Sequence, residues 1–171
     1  MGQVIAFVGL GANLGGDPAR LRATLVSAWR ALSALPGSQV EATSSLWRSA
    51  PVDASGPDYL NAAVALRTDL APQALLRALQ VIEDAHGRER PFRNAPRTLD
   101  LDLLRHGDSV VHSAELTLPH PRLCERAFVV RPLLEIVGDG QAWAADLTAA
   151  LPGLADQPLE RLVCTPDWPP G

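Results

Sequence analysis

Hydrophobic and polar positions along this chain change period several times. The run "VIAFVGLG" (4–11) is almost continuously apolar and predicts a buried strand ending in glycine, with "GANLGGDP" as the loop that follows. Asp17 and Pro18 then suit the N-cap and first position of a helix, and Leu21, Leu25, Ala28, Leu32 and Leu35 recur at helical spacing until "PG" (36–37) ends it. "SQVEATSSLWRS" (38–49) predicts extended chain, "APVDASGPD" (50–58) a long loop, and "YLNAAVALRT" (59–68) the next strand. A helix over 71–87 places Leu75, Leu79 and Ile82 on one face. The basic loop "RERPFRNAP" (88–96) leads into a strand over 97–107, with "DSVVHS" as its short return. Beyond Pro119 and Pro121 the pattern predicts a short helix near 122–126, a longer one to about 137 despite Pro132, another over roughly 141–150, and a loosely ordered tail. Strands and helices alternate without a strict βα repeat, which favours an α/β sandwich with a mixed or antiparallel sheet.

The strand "RTLDLDLL" (97–104) carries two acids in an apolar run. In a strand, residues i and i+2 share a face, so Leu99, Leu101 and Leu103 face one way and Asp100 and Asp102 the other. Their Cβ atoms would lie about 6–7 Å apart. Like charges that close raise one carboxyl's pKa unless a positive charge lies between them. Three readings stay open from the residues alone: a Mg²⁺ site, an acid/base pair, and a solvated strand face. Arg88, Arg90, Arg93 and Arg97 all precede the acids within a dozen residues or so, and the guanidinium fork suits phosphate oxygens. Together they fit a metal–polyphosphate complex better than a bland charged face, though a solvated arginine loop is an ordinary alternative.

Composition narrows the classes. The 171 residues suffice for one domain with a sizeable core, and 47% are hydrophobic and 20% charged. The formal charge of -4 gives no sign of a nucleic-acid surface. No apolar run reaches membrane-spanning length, and the start of the chain lacks a basic leader. Cys124 and Cys164 form neither a CxxC pair nor a disulfide framework, so a reducing cytoplasm is the expected setting. "GLGANLGG" (9–16) invites a dinucleotide reading, but its spacing is G-x-G-x-x-x-G and no Lys-Ser/Thr ending follows. A tight turn into the first helix is the simpler reading.

"PRTLDLDLL" (96–104) closely resembles the signature of the 6-hydroxymethyl-7,8-dihydropterin pyrophosphokinases of folate synthesis. "VGLGANLG" (8–15), "SSLWRSAPV" (44–52), "PDYLNAAVAL" (57–66), "LQVIEDAHGRER" (79–90) and "LTLPHPRLCERAFVVRPLLEI" (116–136) resemble other segments of that family in the same order, so the likeness covers about residues 3–150. The resemblance implies an α+β fold, a three-layer αβα sandwich with a mostly antiparallel sheet and a ferredoxin-like core. It implies transfer of pyrophosphate from ATP to the pterin hydroxymethyl group, with release of AMP. Carried over by residue, it makes Asp100 and Asp102 ligands of two Mg²⁺ ions that bridge the ATP phosphates. Arg88 and Arg97 become the arginines that stabilise the transferring group, and Arg90 a further phosphate contact. Gln80, Glu83, His120 and Arg126 fall on the nucleotide side. Tyr59, Asn61 and Phe128 line the pterin pocket, where Phe128 would offer a stacking face and the Asn61 side chain donor and acceptor together, and the backbone of Ser49, Pro51 and Val52 closes its edge. Each of these residues also has an ordinary structural role open to it, from core packing for Phe128 to surface charge for Arg126.

The likeness departs from the family pattern before the acids. Where a Trp-Gly pair is common, this chain has Asn94 and Ala95, with Pro91 and Phe92 nearby. Altered loop closure or pterin affinity is the expected consequence, not altered chemistry. The expected molecule is a cytoplasmic monomer that binds neither nucleic acid nor membrane. One domain spans 1–171, with 151–171 as an extension of unassigned role. Two rivals from other classes remain: a zinc hydrolase, which His86, His106, His112 and His120 support poorly because no HExxH or tight pair occurs, and a non-enzymatic ferredoxin-like interaction module.

Overall fold

Period-two alternation builds a central sheet with two different faces. The structure is a computed structural model and describes residues 2–13, 17–50, 58–87, 98–138, 140–163 and 165–170. Within these the order is β1 (Val4–Ala12), α1 (Pro18–Ser33), β2 (Ser38–Thr43), β3 (Trp47–Ser49), β4 (Tyr59–Thr68), α2 (Pro72–His86), β5 (Leu99–His106), β6 (Val111–His112), β7 (Thr117–Leu118), α3 (Ala127–Ile136), α4 (Ala144–Ala150), a 3₁₀ turn (Leu151–Leu154) and β8 (Leu159–Arg161). The main sheet runs β5-β1-β4, and the far edge of β4 is shared by β2 and β3, with β8 outside β3. Every pairing in it is antiparallel. The β1-α1-β2-β4-α2-β5 succession with sheet order β5-β1-β4-β2 is a ferredoxin-like core.

On one face Ala6, Val8, Leu10 and Ala12 of β1, Leu60, Ala62, Val64 and Leu66 of β4, and Leu99, Leu101 and Leu103 of β5 pack under α1 and α2. Helix α1 buries Leu21, Leu25, Ala28 and Leu32, as its spacing predicts, and Asp17 caps it by accepting the Ala19 N–H at 3.0 Å. On the other face Phe7, Ala63, Ala65 and Leu104 pack against Val129, Val130 and Leu133 of α3 and Leu147 of α4. The αβα sandwich expected from the family likeness is the observed one.

A register shift between Phe7 and Val8 puts a bulge in β5. It changes the phase of the strand, so that Phe7 pairs with Arg105 while Val8 pairs with Leu103. Leu104 and Arg105 therefore both reach the second core, where the Arg105 guanidinium lies 4.6 Å from the Trp143 ring centre.

Several sequence expectations need correction. The strand predicted over 4–11 is observed and runs on to Ala12, so Gly9 and Gly11 lie within β1 and the turn read over 9–16 does not include them. The stretch after β5 does not return along it; Val111 and His112 pair with Leu118 and Thr117 in a separate ribbon. No helix forms over 122–126. Isolated i→i+3 bonds, Leu123 N–H to His120 C=O and Glu125 N–H to Arg122 C=O, make turns there, and helix begins only at Ala127. Helix α3 does run through Pro132. Finally, the segment after 151 adds β8 to the sheet edge, and the indole of Trp168 packs on the first core and donates to the Ser44 carbonyl at 2.9 Å.

Candidate active site

The second face of the sheet is not fully covered by α3 and α4. Beyond Ala63 and Phe7 it opens into a cleft of about 410 Å³, lined by Gly9, Gly11, Ser49, Tyr59, Asn61, Asp100, Asp102, Arg126 and Phe128 among others. Strand register explains the opening. Asp100 pairs with Gly11, which pairs with Asn61; Asp102 pairs with Gly9, which pairs with Ala63. Both central positions lack a side chain, so a shallow trough runs between the acids of β5 and the polar side chain of β4. A Cβ on Gly11 would sit 3.5 Å from Asn61 Oδ1, and one on Gly9 would meet Leu104 at 3.5 Å.

Alternation delivers the acids to this trough as the sequence pattern predicts. Leu99, Leu101 and Leu103 are buried on the far face, while Asp100 and Asp102 are half-buried on the cleft side. A guanidinium nitrogen of Arg126 lies 4.0 Å from an Asp102 carboxylate oxygen, and the same guanidinium lies 5.6 Å from the centre of the Phe128 ring. Arg126 precedes α3 and Phe128 is in its first turn, so one helix start supplies a cation and an aromatic face to the same wall.

Asn61 is 3% exposed and its amide orientation is fixed by its neighbours. Its Nδ2 donates to Ser49 Oγ at 2.8 Å and to the Trp47 carbonyl at 3.3 Å. A carbonyl can only accept, so the nitrogen must face Trp47, and Oδ1 is left over Gly11 as an acceptor at the cleft. The sequence reading had Asn61 offering donor and acceptor together; its donors are engaged inside the protein. Ser49 enters through its side chain as well as its backbone.

His120 adjoins the acid strand through its backbone, whose N–H donates to the Leu104 carbonyl at 2.9 Å. Its Nδ1 accepts the Arg122 N–H at 3.1 Å, which leaves the proton of the neutral ring on Nε2. Burial pushes its pKa below the ordinary imidazole value; the Asp102 carboxylate opposes this, and Arg126 and Arg122 add to it.

The structure thus brings Ser49, Tyr59, Asn61, Asp100, Asp102, Arg126 and Phe128 around one cleft. His120 stands beside Asp102 and Arg126 without lining the cleft. Glu83 is half-buried on α2, with Oε2 accepting the Leu101 N–H at 2.9 Å, and Gln80 is exposed one turn before it. Arg88, Arg90, Arg97, Pro51 and Val52, with Asn94, lie outside the described residues. The sequence reading missed Gly9 and Gly11, whose contribution is an absent side chain; their period-two spacing inside an apolar run is the signal that could have shown it.

The family model described as 7,8-dihydro-6-hydroxymethylpterin-pyrophosphokinase matches residues 7–138. The 2-amino-4-hydroxy-6-hydroxymethyldihydropteridine pyrophosphokinase of Synechocystis sp. is 39% identical over 164 residues, covering 96% of this chain and 79% of the relative. The protein of the same name from Methylorubrum extorquens is 40% identical over 158 residues, covering 92% of this chain and 98% of its own. A solved structure described as HPPK-DHPS in complex with substrates superposes with a TM-score of 0.69 over 90% of this chain and 44% of that one; at 11% identity it speaks for the fold alone. With the family model matching most of its length and relatives at this identity, the chain belongs to the 7,8-dihydro-6-hydroxymethylpterin-pyrophosphokinase family.

Proposed function

We propose that this chain transfers pyrophosphate from ATP to the hydroxymethyl group of 6-hydroxymethyl-7,8-dihydropterin, releasing AMP, as a step of folate synthesis. The observation that carries the reading is the glycine-floored cleft, which sets two carboxylates opposite an oriented amide oxygen and an aromatic ring. A flat heterocycle with N–H groups on its edge fits the second half of that set: Phe128 offers a stacking face and Asn61 Oδ1 an acceptor, with Tyr59 and Ser49 beside them. Pro51 and Val52 are assigned the remaining edge by the family likeness.

The first half of the set fits a polyphosphate held with a hard cation. Asp100 and Asp102 present carboxylate oxygens from one strand face, the donor type Mg²⁺ takes, and they are the residues proposed to hold it. Bound there, Mg²⁺ would supply charge neutralisation at phosphate oxygens and make the attacking hydroxyl easier to deprotonate.

The rest follows from the chain's own groups. Arg126 is positioned to meet nucleotide phosphate near Asp102, and neutral His120 can donate from Nε2. Gln80 is assigned to the nucleotide side, and Arg88, Arg90 and Arg97 to the transferring phosphates. In phosphoryl-type transfer the protein contributes mainly positioning and preorganised charge. The hydroxyl attacks the β-phosphorus and the bond between the α and β phosphates breaks, so AMP is the diagnostic product. Incubation with ATP, Mg²⁺ and the hydroxymethyl-dihydropterin should yield AMP and the pterin diphosphate. AMP no higher than in a metal-free control would sink this reading. No helix among the described residues is long and apolar enough to cross a membrane. The reading extends to a monomer working as one unit in the cytoplasm.

A further inference from the structure

The strand that carries both acids is an edge strand: β5 pairs with β1 on one side, and the described residues place no strand on the other. Edge strands lack the second hydrogen-bonded neighbour that fixes a central strand. Here helix α2 takes that place. Leu101, the residue between Asp100 and Asp102, donates its backbone N–H to Glu83 Oε2 at 2.9 Å. Three residues earlier the Thr98 hydroxyl donates to the His86 carbonyl at the end of α2. The two bonds straddle Asp100. The end of α2 is itself anchored. His86 Nδ1 donates to the Ile82 carbonyl at 2.7 Å, since a carbonyl only accepts, and Nε2 then accepts from Ser27 Oγ of α1 at 2.9 Å.

We propose that Glu83 is a positioning residue for the acid pair, acting through the Leu101 amide. A backbone shift at Leu101 moves both neighbouring carboxylates together, whereas Asn61 and Phe128 sit on other elements and keep their places. The inference rests on the pyrophosphokinase reading for its kinetic consequence but not for its structural one.

Two variants and one amide test it. In Glu83→Ala the Leu101 amide should exchange with solvent about tenfold faster or more, the effect of losing a hydrogen bond to a charged group. Turnover should fall roughly 10- to 100-fold, as expected for small misplacement of reacting groups, with the pterin KM held within about twofold. Glu83→Gln keeps an acceptor oxygen in the same place and should restore both. Unchanged Leu101 exchange in Glu83→Ala overturns the proposal. So does a Gln variant as impaired in turnover as the Ala variant, because charge on the nucleotide, not support of the strand, would then be the role. Should Glu83→Ala not fold, a through-hydrogen-bond coupling between the Leu101 amide nitrogen and the Glu83 carboxyl carbon in the unaltered protein decides the point, and its absence counts against the proposal. If the unaltered chain makes no AMP, the reaction assignment fails, while Leu101 exchange still decides whether Glu83 holds the strand.

Discussion

Alternation puts Asp100 and Asp102 on one face of β5, both half-buried. Asp102 has Arg126 at 4.0 Å and His120 close by, so a positive group already stands near it. Replacement by Asn preserves shape and removes charge. Asp100→Asn and Asp102→Asn should each lower AMP formation by about 10²-fold or more, on the scale of losing one preorganised electrostatic partner. Because both side chains are half-exposed, melting temperatures should stay close to the parent's; a turnover within threefold of the parent for either variant would remove it from the machinery. Asn61 behaves differently because it is buried and bonded. Asn61→Leu leaves the Trp47 carbonyl and Ser49 without their donor, which should cost about 1–3 kcal/mol of stability. It also removes the acceptor over Gly11, so the pterin KM should rise more than turnover falls, as steady-state kinetics would show. For His120 the sign follows from burial. Its folded pKa lies below the unfolded value, so its contribution to stability is full above about pH 6.5 and is lost as pH falls through the folded pKa. His120→Gln should flatten the dependence of unfolding free energy on pH below 6.5, read from denaturant melts across pH 5–8. A slope there equal to the parent's would mean that another group carries it.

At the scale of elements, period two was enough to place the acids, because β5 alternates buried Leu with half-buried Asp without interruption until its bulge. It could not place the trough. Gly9 and Gly11 fall inside the predicted first strand, but only its pairing with β4 and β5 shows that they lie between Asn61 and the acids. The end of β5 failed for a related reason: the two-residue strand β6 is shorter than any period can reveal, and its partner lies beyond a turn at 113–116. Asn61's donors were misjudged because hydrogen bonds to Trp47 and Ser49 depend on β3 and β4 being neighbours, which the chain order does not state. The trough makes its own prediction. Neither glycine has a left-handed backbone, and added Cβ atoms would find ordinary van der Waals spacing, so alanine at 11 is compatible with the strand. Gly11→Ala should leave the melting temperature close to the parent's, yet raise the pterin KM several-fold by filling part of the floor. Titration with the pterin under saturating ATP would show this; an unchanged KM would mean that the heterocycle does not lie over Gly11.

For the whole molecule, the point that joins its parts is where the partner of β4 changes from β2 to β3. Ser44 bridges that change: its N–H donates to the Ala63 carbonyl at 2.9 Å, and its Oγ accepts the Ala63 N–H at 2.9 Å. Beyond it, Ser45 and the Trp47 indole donate to the Glu135 carboxylate of α3, at 2.7 Å from Ser45 Oγ and 2.6 Å from Trp47 Nε1. One cleft wall is thereby tied to the helix that supplies the other. The C-terminal segment locks the same junction from the opposite face, because Trp168 packs on the first core and donates to the Ser44 carbonyl at 2.9 Å. Trp168 is only partly buried, so Trp168→Ala should cost less than a full core truncation, about 1–3 kcal/mol. For a chain of this size that lowers the melting temperature by roughly 2–10 °C. Trp168→Phe keeps the ring and loses the N–H, so it separates burial from the hydrogen bond and should recover about half of the loss. Turnover at 25 °C should stay within about twofold of the parent in both, since Trp168 is on the far side of the sheet from the acids. Thermal melts and AMP assays on the same preparations decide it: a fall in turnover at unchanged stability would mean that the tail acts on the cleft and does not merely hold the junction beneath it.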